Sequence, residues 1–555
     1  MIMANDLKFS QSGPHLGNQF TEDSALQEYL SSFADCSEFY RDLENFGSRV
    51  VSDILEHHNL CERFPPVFEE FDAWGSKIDK ITTHSSWNFM HKVSAEEQLI
   101  HLGYTCKKNR RLHQFSKLYL FSSSSGLYIC PLAMTEGAAF LLRSLLQKSE
   151  DPELQEAFSR VTSSDPNQFW TSGQWMTEKR GGSDVSGGSQ TIAEHLSEDT
   201  YKLYGYKWFT SATTANMAFT LARVDGKLSL FFVKVKDEQG RLNNIRIVRL
   251  KEKLGTKQLP TAEMVLEGTV AKLVSPVGKG VSLIANLVNM TRLYNSIGAV
   301  SAMRRITALA RDYSHRRFAF NKYVKDHPLH QASLSELEVI TRGCLIFVLY
   351  TAHLLEKSED SQAKDWEVKT LRVLTSVIKL YTAKMAIKVV SEGIECIGGV
   401  AYMENSGIPG ILRDAQVYSI WEGTTNVLSL DVQRALIKNS DPSASYLKSA
   451  LESLGCDFLS SNLEKILESF KNPYAGRKCA WALGSLFIEA LLRWHSHKTG
   501  TQQDSEIANY WAKLNPSDLV CENPSLYYNL ALDVGKKGPR GFGDYDSLKT
   551  PRPKF

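Results

Sequence analysis

Three short stretches carry residue types whose spacing suits chemistry on a bound ligand. The first runs Trp175-Met176-Thr177-Glu178-Lys179-Arg180-Gly181-Gly182-Ser183-Asp184-Val185. Glycines let the backbone approach a ligand closely, and the flanking hydroxyls and N–H groups suit flavin oxygens or a phosphate. The second, Gly205-Tyr206-Lys207-Trp208-Phe209-Thr210-Ser211, sets an aromatic pair before two hydroxyls. Such a pattern can wall a flat ring and bond its polar edge. The third runs from Leu412 to Asn426 and places Glu422 just ahead of a helix over Val427–Ile437, with Thr424 and Thr425 as capping residues. Each stretch alone also fits a plainer reading: a glycine turn, an aromatic strand in a core, an acid that favours the helix dipole.

The elements that must position these residues follow from periodicity. From residue 24 to about 170 the apolar spacing of three and four, as in Phe39–His58 and Ala133–Gln147, predicts helices. Ser122-Ser123-Ser124-Ser125-Gly126 reads as a polar turn between two of them. From Thr171 to about Ser275 short strand-like runs such as Leu228–Val233 and Ile245–Val248 alternate with turns at Asp225-Gly226 and Gln239-Gly240, predicting a small antiparallel β domain. Long helices return over Val281–Phe318, Leu334–Lys357 and Val368–Gly393, long enough for a bundle with antiparallel neighbours. The expected fold class is therefore α+β, in four parts: a helical domain over 1–170, a β domain over 171–275, a bundle over 276–440, and a helical extension over 441–555 with a Gly/Pro/basic tail. No internal repeat is found.

Composition narrows the function. The 555 residues are 43% hydrophobic, and 64 Lys plus Arg nearly balance 62 Asp plus Glu, for a net charge of +2. That is no electrostatic footprint for nucleic acid or a membrane surface. No uninterrupted apolar run reaches the roughly 18 residues that a span needs. Residues 1–20 lack the pattern of a secretory signal or a transit peptide, and Pro553-Lys554-Phe555 is not a peroxisomal address. Nine cysteines without a CxxC pair argue for reduced thiols and against a zinc site. A cytoplasmic location is expected, with a mitochondrial one left open.

In this order and with this α–β–α layout, the three stretches resemble the acyl-CoA dehydrogenase family, in its AidB-like branch. Phe71-Asp72-Ala73-Trp74-Gly75, Asp326-His327-Pro328-Leu329, Ile397-Gly398-Gly399 and Ser419-Ile420-Trp421-Glu422-Gly423 agree as well. The resemblance spans roughly residues 70 to 437, and it implies an acyl-CoA dehydrogenase-like fold, FAD as cofactor, a fatty acyl-CoA as ligand and a homo-oligomer arranged as a dimer of dimers.

The resemblance also implies residue roles. Glu422 takes the position of the base that removes the α-proton while the β-hydrogen leaves as hydride, giving a trans-2-enoyl-CoA. Gln174, Trp175, Met176, Thr177, Gly182, Ser183, Phe209, Thr210 and Ser211 fall on the flavin-binding positions, with Ser183 and Ser211 also toward the substrate. Trp421, Gly423, Thr424, Thr425 and Asn426 match the segment that covers the flavin. Asn289, Met290, Thr291 and Arg292 match the substrate-contacting turn. Arg317 and Phe320, with Glu395, Gly398 and Gly399, match a second site for the FAD of a neighbouring subunit. Departures are Glu395 in place of the usual Gln, Asn321 in place of Gly, Phe209 in place of Trp, and Lys179-Arg180 in place of Pro-Gly or Pro-Ala. A flavoprotein that sequesters acyl-CoA without turnover is the alternative reading. Nucleic-acid association through the tail residues Lys536 to Lys554 is a third, disfavoured because acids and glycine are interspersed there.

Overall fold

The computed structural model describes residues 12–33, 35–438 and 444–514. Every residue assigned a site role above lies among them; the basic tail does not. The N-terminal layer comprises α1 (Ser24–Ser31), α2 (Tyr40–Arg49), α3 (Asp53–Arg63), α4 (Ser85–Glu96), α5 (Arg110–Ser122), α6 (Ile129–Leu146) and α7 (Pro152–Val161). The start of α7 shows local sequence setting a boundary. Asp151 accepts the amides of Glu153 and Leu154, and Pro152 fills the first helical position where no donor is needed. The window of α6 reaches a mean hydropathy of 1.4 over 18 residues, enough by length and composition to cross a membrane, yet 67% of it is buried inside the protein. Its Glu136 is fully buried against Arg111 at 2.7 Å.

Two features of this layer differ from the sequence reading. A hairpin of β1 (Val67–Phe71) and β2 (Lys77–Thr82) interrupts the helices. Asp72 closes its turn by accepting the amides of Trp74 and Ser76, each at 2.8 Å. The Ser122–Gly126 turn does join α5 to α6, but Ser124 and Ser125 are fully buried.

The middle of the chain forms one sheet from β3 (Ser172–Trp175), β4 (Ile192–Ser197), β5 (Thr200–Ser211), β6 (Met217–Val224), β7 (Lys227–Lys234), β8 (Ile245–Leu250) and β9 (Thr261–Leu273), with the short α8 (Val185–Gly188) between β3 and β4. Asp225-Gly226 turns β6 into β7 with both residues at positive φ, 48° and 76°, the two-residue turn whose twist suits adjoining strands. The sheet is mixed rather than wholly antiparallel, because β3 pairs with β6 in parallel from Ser172↔Met217 to Trp175↔Thr220. The long excursion between them, including the glycine-rich loop, permits that crossover. Trp175, Phe231, Val233 and Met264 fill a core belonging to this sheet.

The C-terminal helices are α9 (Gly280–Arg316), α10 (Pro328–Glu359) and α11 (Asp365–Ile397), then α12 (Ile408–Val417), α13 (Thr425–Lys438), α14 (Ser445–Ser453), α15 (Ser460–Ser469), α16 (Gly476–Thr499) and α17 (Gln502–Leu514). A two-residue hairpin of β10 (Phe318–Ala319) and β11 (Lys322–Tyr323) separates α9 from α10. Ile297, Phe347, Ile378 and Tyr381 pack between α9, α10 and α11 in a core continuous with the N-terminal layer. The described part of the extension joins the same core: Trp481 stacks on Tyr381 at 4.2 Å between ring centroids, and fully buried Trp511 donates its indole N–H to the Ser485 carbonyl.

Candidate active site

Glu422 lies between α12 and α13, where the chain contacts both α9 and α11. Its φ is +56°, in the left-handed region where a non-glycine residue costs on the order of 1 kcal/mol or more. Side chains from the two long helices hold it there. Lys379, fully buried on α11, donates to the carbonyls of Trp421 at 2.6 Å and Gly423 at 2.7 Å, the residues flanking Glu422. Arg292 on α9 donates to the Glu422 carbonyl at 3.4 Å. The indole of Trp421 donates to Asn295 Oδ1. Beyond Glu422, the Thr424 carbonyl accepts the Leu428 amide at 2.9 Å and starts α13.

The carboxylate itself accepts a hydrogen bond from Thr291 Oγ1 to Oε2 at 2.7 Å. Burial raises the pKa of Glu422 above the ordinary carboxylate value, and Thr291, Arg292 and Lys379 offset part of that rise. Burial likewise brings Lys379 down to about 7, against the attraction of Glu422. The carboxylate is thus held less acidic than usual by burial, on a turn pinned from both long helices.

Arg292 departs from its expected substrate contact. Its guanidinium is committed to Asp431 at 2.9 Å and Ser376 at 3.1 Å, and Asp431 is shared with Arg372. A buried cation needs such partners. Met290 faces the apolar core at 2% exposure, while Asn289 is half-buried beside Arg292. Thr291 is the residue of that turn that meets the Glu422 carboxylate.

The glycine-rich loop is anchored from below by residues that sequence reasoning passed over. Lys207 of β5, fully buried, meets Glu178 at 2.8 Å. Burial works against the charge of Glu178, but Lys207, the Thr191 hydroxyl and the Gln190 amide outweigh it and hold its pKa below the usual range. Gly181 packs against Gly188 so closely that an added Cβ would lie 2.5 Å from the Gly188 Cα. Gly182 and Ser183 stay exposed, and Met176 and Thr177 are half-buried. Phe209 is 51% exposed, an open aromatic face beside Lys251. Two residues expected at the cofactor have inward side chains: Trp175 lies in the sheet core, and buried Thr210 donates to the Ala262 carbonyl. Strand alternation turns their side chains inward.

Ser211 ends β5. Its hydroxyl lies 3.1 Å from Thr261 Oγ1, which accepts from Lys253 Nζ at 3.1 Å. Burial lowers Lys253 to about 8. Cys130 on α6, pushed up to about 12 by burial, feels the charges of both Lys253 and Glu422, so the end of the sheet and the Glu422 turn flank one residue.

A second set of expected residues lies elsewhere. Arg317 caps the far end of α9, 26 positions past Thr291, and Gly398 ends α11, 19 positions past Lys379. At 1.5 Å per residue these are roughly 39 and 28 Å from the Glu422 end. Phe320 is 90% exposed at the hairpin tip, and Glu395, Gly398 and Gly399 are exposed too. Within one chain these residues therefore lie too far from Glu422 to meet it.

Residues 278–437 match the family profile "Acyl-CoA dehydrogenase, C-terminal domain", 173–269 match "Acyl-CoA dehydrogenase, middle domain", and 13–165 match "Adaptive response protein AidB N-terminal domain". Acyl-CoA dehydrogenase family member 11 of Caenorhabditis elegans is 48% identical over 442 residues, covering 77% of this chain and 72% of that protein. The chain belongs to the acyl-CoA dehydrogenase family. Putative acyl-CoA dehydrogenase AidB of Escherichia coli is 29% identical over 74% of this chain and 78% of its own length. The crystal structure of C. elegans ACDH-11 in complex with C11-CoA superposes with a TM-score of 0.88 and 39% identity over 96% of this chain and 98% of that one.

Acyl-CoA dehydrogenases are FAD-dependent oxidoreductases acting on CH–CH bonds, and the residues present fit that cofactor. Gln174 Oε1 is a buried acceptor and Asn295 Nδ2 a buried donor, each without a partner among the described residues. Side-chain space is open at Gly182, Gly398 and Gly399. Of the residues that matter here, Lys379 was the least visible in sequence. It sits in the apolar run Val377-Ile378-Lys379-Leu380, and that lone charge was the available signal.

Proposed function

We propose that this chain catalyses α,β-dehydrogenation of a fatty acyl-CoA thioester of medium to long chain, with Glu422 as the base. The observation that supports it most is the Glu422 carboxylate, held at positive φ, hydrogen-bonded by Thr291 and raised in pKa by burial. In this reading the α C–H bond breaks toward Glu422, which takes the proton, and the β C–H bond breaks with its electron pair as the double bond forms. FAD, when bound, supplies the acceptor for that hydride. Thr291 keeps the carboxylate oriented, Lys379 fixes the turn, and the loop at 177–183 with Phe209 and Ser211 offers the hydroxyls and aromatic face that hold the ring. The relative's complex with C11-CoA supports an acyl chain of comparable length here. The separated half-sites support a homo-oligomer in which Arg317 of one chain completes the site of another.

The test is anaerobic mixing of saturated acyl-CoA thioesters of graded length with the oxidised flavoprotein. Wild type should bleach its flavin absorbance in a single turnover. Glu422→Gln should bleach about 10²–10⁴-fold more slowly, the range for loss of a positioned base, with acyl-CoA affinity little changed. Tight binding with no bleaching at any chain length would replace the enzyme with a sequestering protein.

A further inference from the structure

The serine-rich turn, bland in sequence, lies beside a buried guanidinium. Arg305 on α9 is 5% exposed. Its only side-chain hydrogen bond among the described residues runs from Nη2 to Ser124 Oγ at 2.6 Å, and Ser124 passes its own proton to the Val50 carbonyl. Arg305 Nε has no partner, and no described carboxylate forms an ion pair with it. Burial lowers its pKa to about 10 with no opposing charge, which still leaves it a cation at neutral pH. The nearby carboxylates are engaged elsewhere. Asp23 accepts from Tyr119 at 2.6 Å and lies near Arg304, while Glu338 binds Arg304, Arg311 and Arg342. Half-buried His58 is pushed down to about 4, by desolvation and then by Arg305 itself, so it adds no anion and stays neutral.

Arg305 and Arg304 border a small cavity with Gln19, Tyr119, Ser123 and Ser301. The Ser123 and Ser301 hydroxyls lie 2.8 Å apart, and the Ser123 amide donates to Ser301 Oγ at 3.1 Å. One hydroxyl proton of the pair is therefore free to point outward. Arg304 Nε makes no hydrogen bond among the described residues, with Asp23 Oδ2 3.7 Å away. The cavity thus gathers donors around a positive charge, that of Arg305, which no described residue compensates, with room for about one water-sized particle. An unpaired buried charge is strongly disfavoured, and native structures satisfy such groups with an ion or a water.

We propose that this cavity binds a small monatomic anion of chloride size, held by the Arg305 guanidinium and the free hydroxyl proton of the Ser123–Ser301 pair. The site is separate from the candidate active site, since Arg305 lies 13 residues beyond Arg292 on α9, roughly 20 Å along the helix. It ties the N-terminal layer, through Gln19, Ser123 and Ser124, to the bundle.

The deciding experiment soaks chloride-free crystals of the full-length flavoprotein in sodium bromide and collects data at the bromine edge. An anomalous peak within hydrogen-bonding reach of Arg305 is expected. Its absence, with only a water refined there, overturns the proposal. In solution, the melting temperature of wild type should rise when chloride replaces gluconate at fixed ionic strength, and Arg305→Met should lose that rise. An Arg305→Met protein that keeps the full chloride dependence overturns the assignment to this cavity. Should that variant fail to fold, the bromide peak in wild type decides alone.

Discussion

At the scale of single residues, Glu422 and Thr291 act as one unit. A hydroxyl that donates to a carboxylate stabilises its charged form, so removing it raises the carboxylate's pKa. Thr291→Val keeps the shape and deletes the donor. Because a base must be deprotonated to work, the low-pH limb of the single-turnover bleaching rate should move to higher pH by about 1 unit, the scale of one hydrogen bond to a charged group. An unmoved limb with a uniformly slower rate would mean that Thr291 contributes only packing. Glu422 was singled out in sequence by the family resemblance of the Ser419–Gly423 run, because an acid ahead of a helix start by itself fits the plainer dipole reading. Lys379 was not, because its partners are backbone carbonyls 42 and 44 positions later, and sequence spacing carries no trace of them.

At the scale of elements, α12 is tied to its neighbours through Asp414. This carboxyl is pushed up to about 7, first by burial and then by the charge of Glu62 on α3, against the amide of Thr256 at 2.5 Å, the side chain of Gln258 and the charge of Arg413. Its folded value exceeds the unfolded value of about 3.9. The stability it contributes is therefore fully present below about pH 4 and is lost as pH rises through about 7. Relative to Asp414→Asn, wild type should lose stability progressively from pH 4 to 7 and level off above. Urea melts of both proteins across that range read the difference; a constant difference would place the titration elsewhere. The long helices, the turn at Asp225-Gly226 and the glycine loop were all readable, since each rests on local periodicity or backbone need. The β1–β2 hairpin was not, because Phe68 and Ile81 pack against the core of the distant middle sheet. The parallel pairing of β3 with β6 was hidden for the same reason: register with a strand 45 residues away is a tertiary outcome.

At the scale of the whole molecule, the proposed half-sites at opposite ends of α9 and α11 would couple cofactor binding to assembly. Anything that binds only the assembled state stabilises that state by mass action. Arg317→Ala should therefore weaken FAD retention and oligomerisation together, read by flavin absorbance after dilution and by light scattering. A stable monomer with full FAD occupancy would contradict the coupling.

That same separation has a genetic consequence. Two alleles, one carrying Glu422→Gln and the other Arg317→Ala, each disable every site in their own homo-oligomers by different means. In a mixed pair, however, the intact Glu422 of one chain meets the intact Arg317 of the other, so one of the two composite sites is whole. Co-expressed in equal amounts with random pairing, two inactive proteins should recover about a quarter of wild-type activity, as two-fold symmetry dictates. Recovery of nothing would mean that each chain completes its own site.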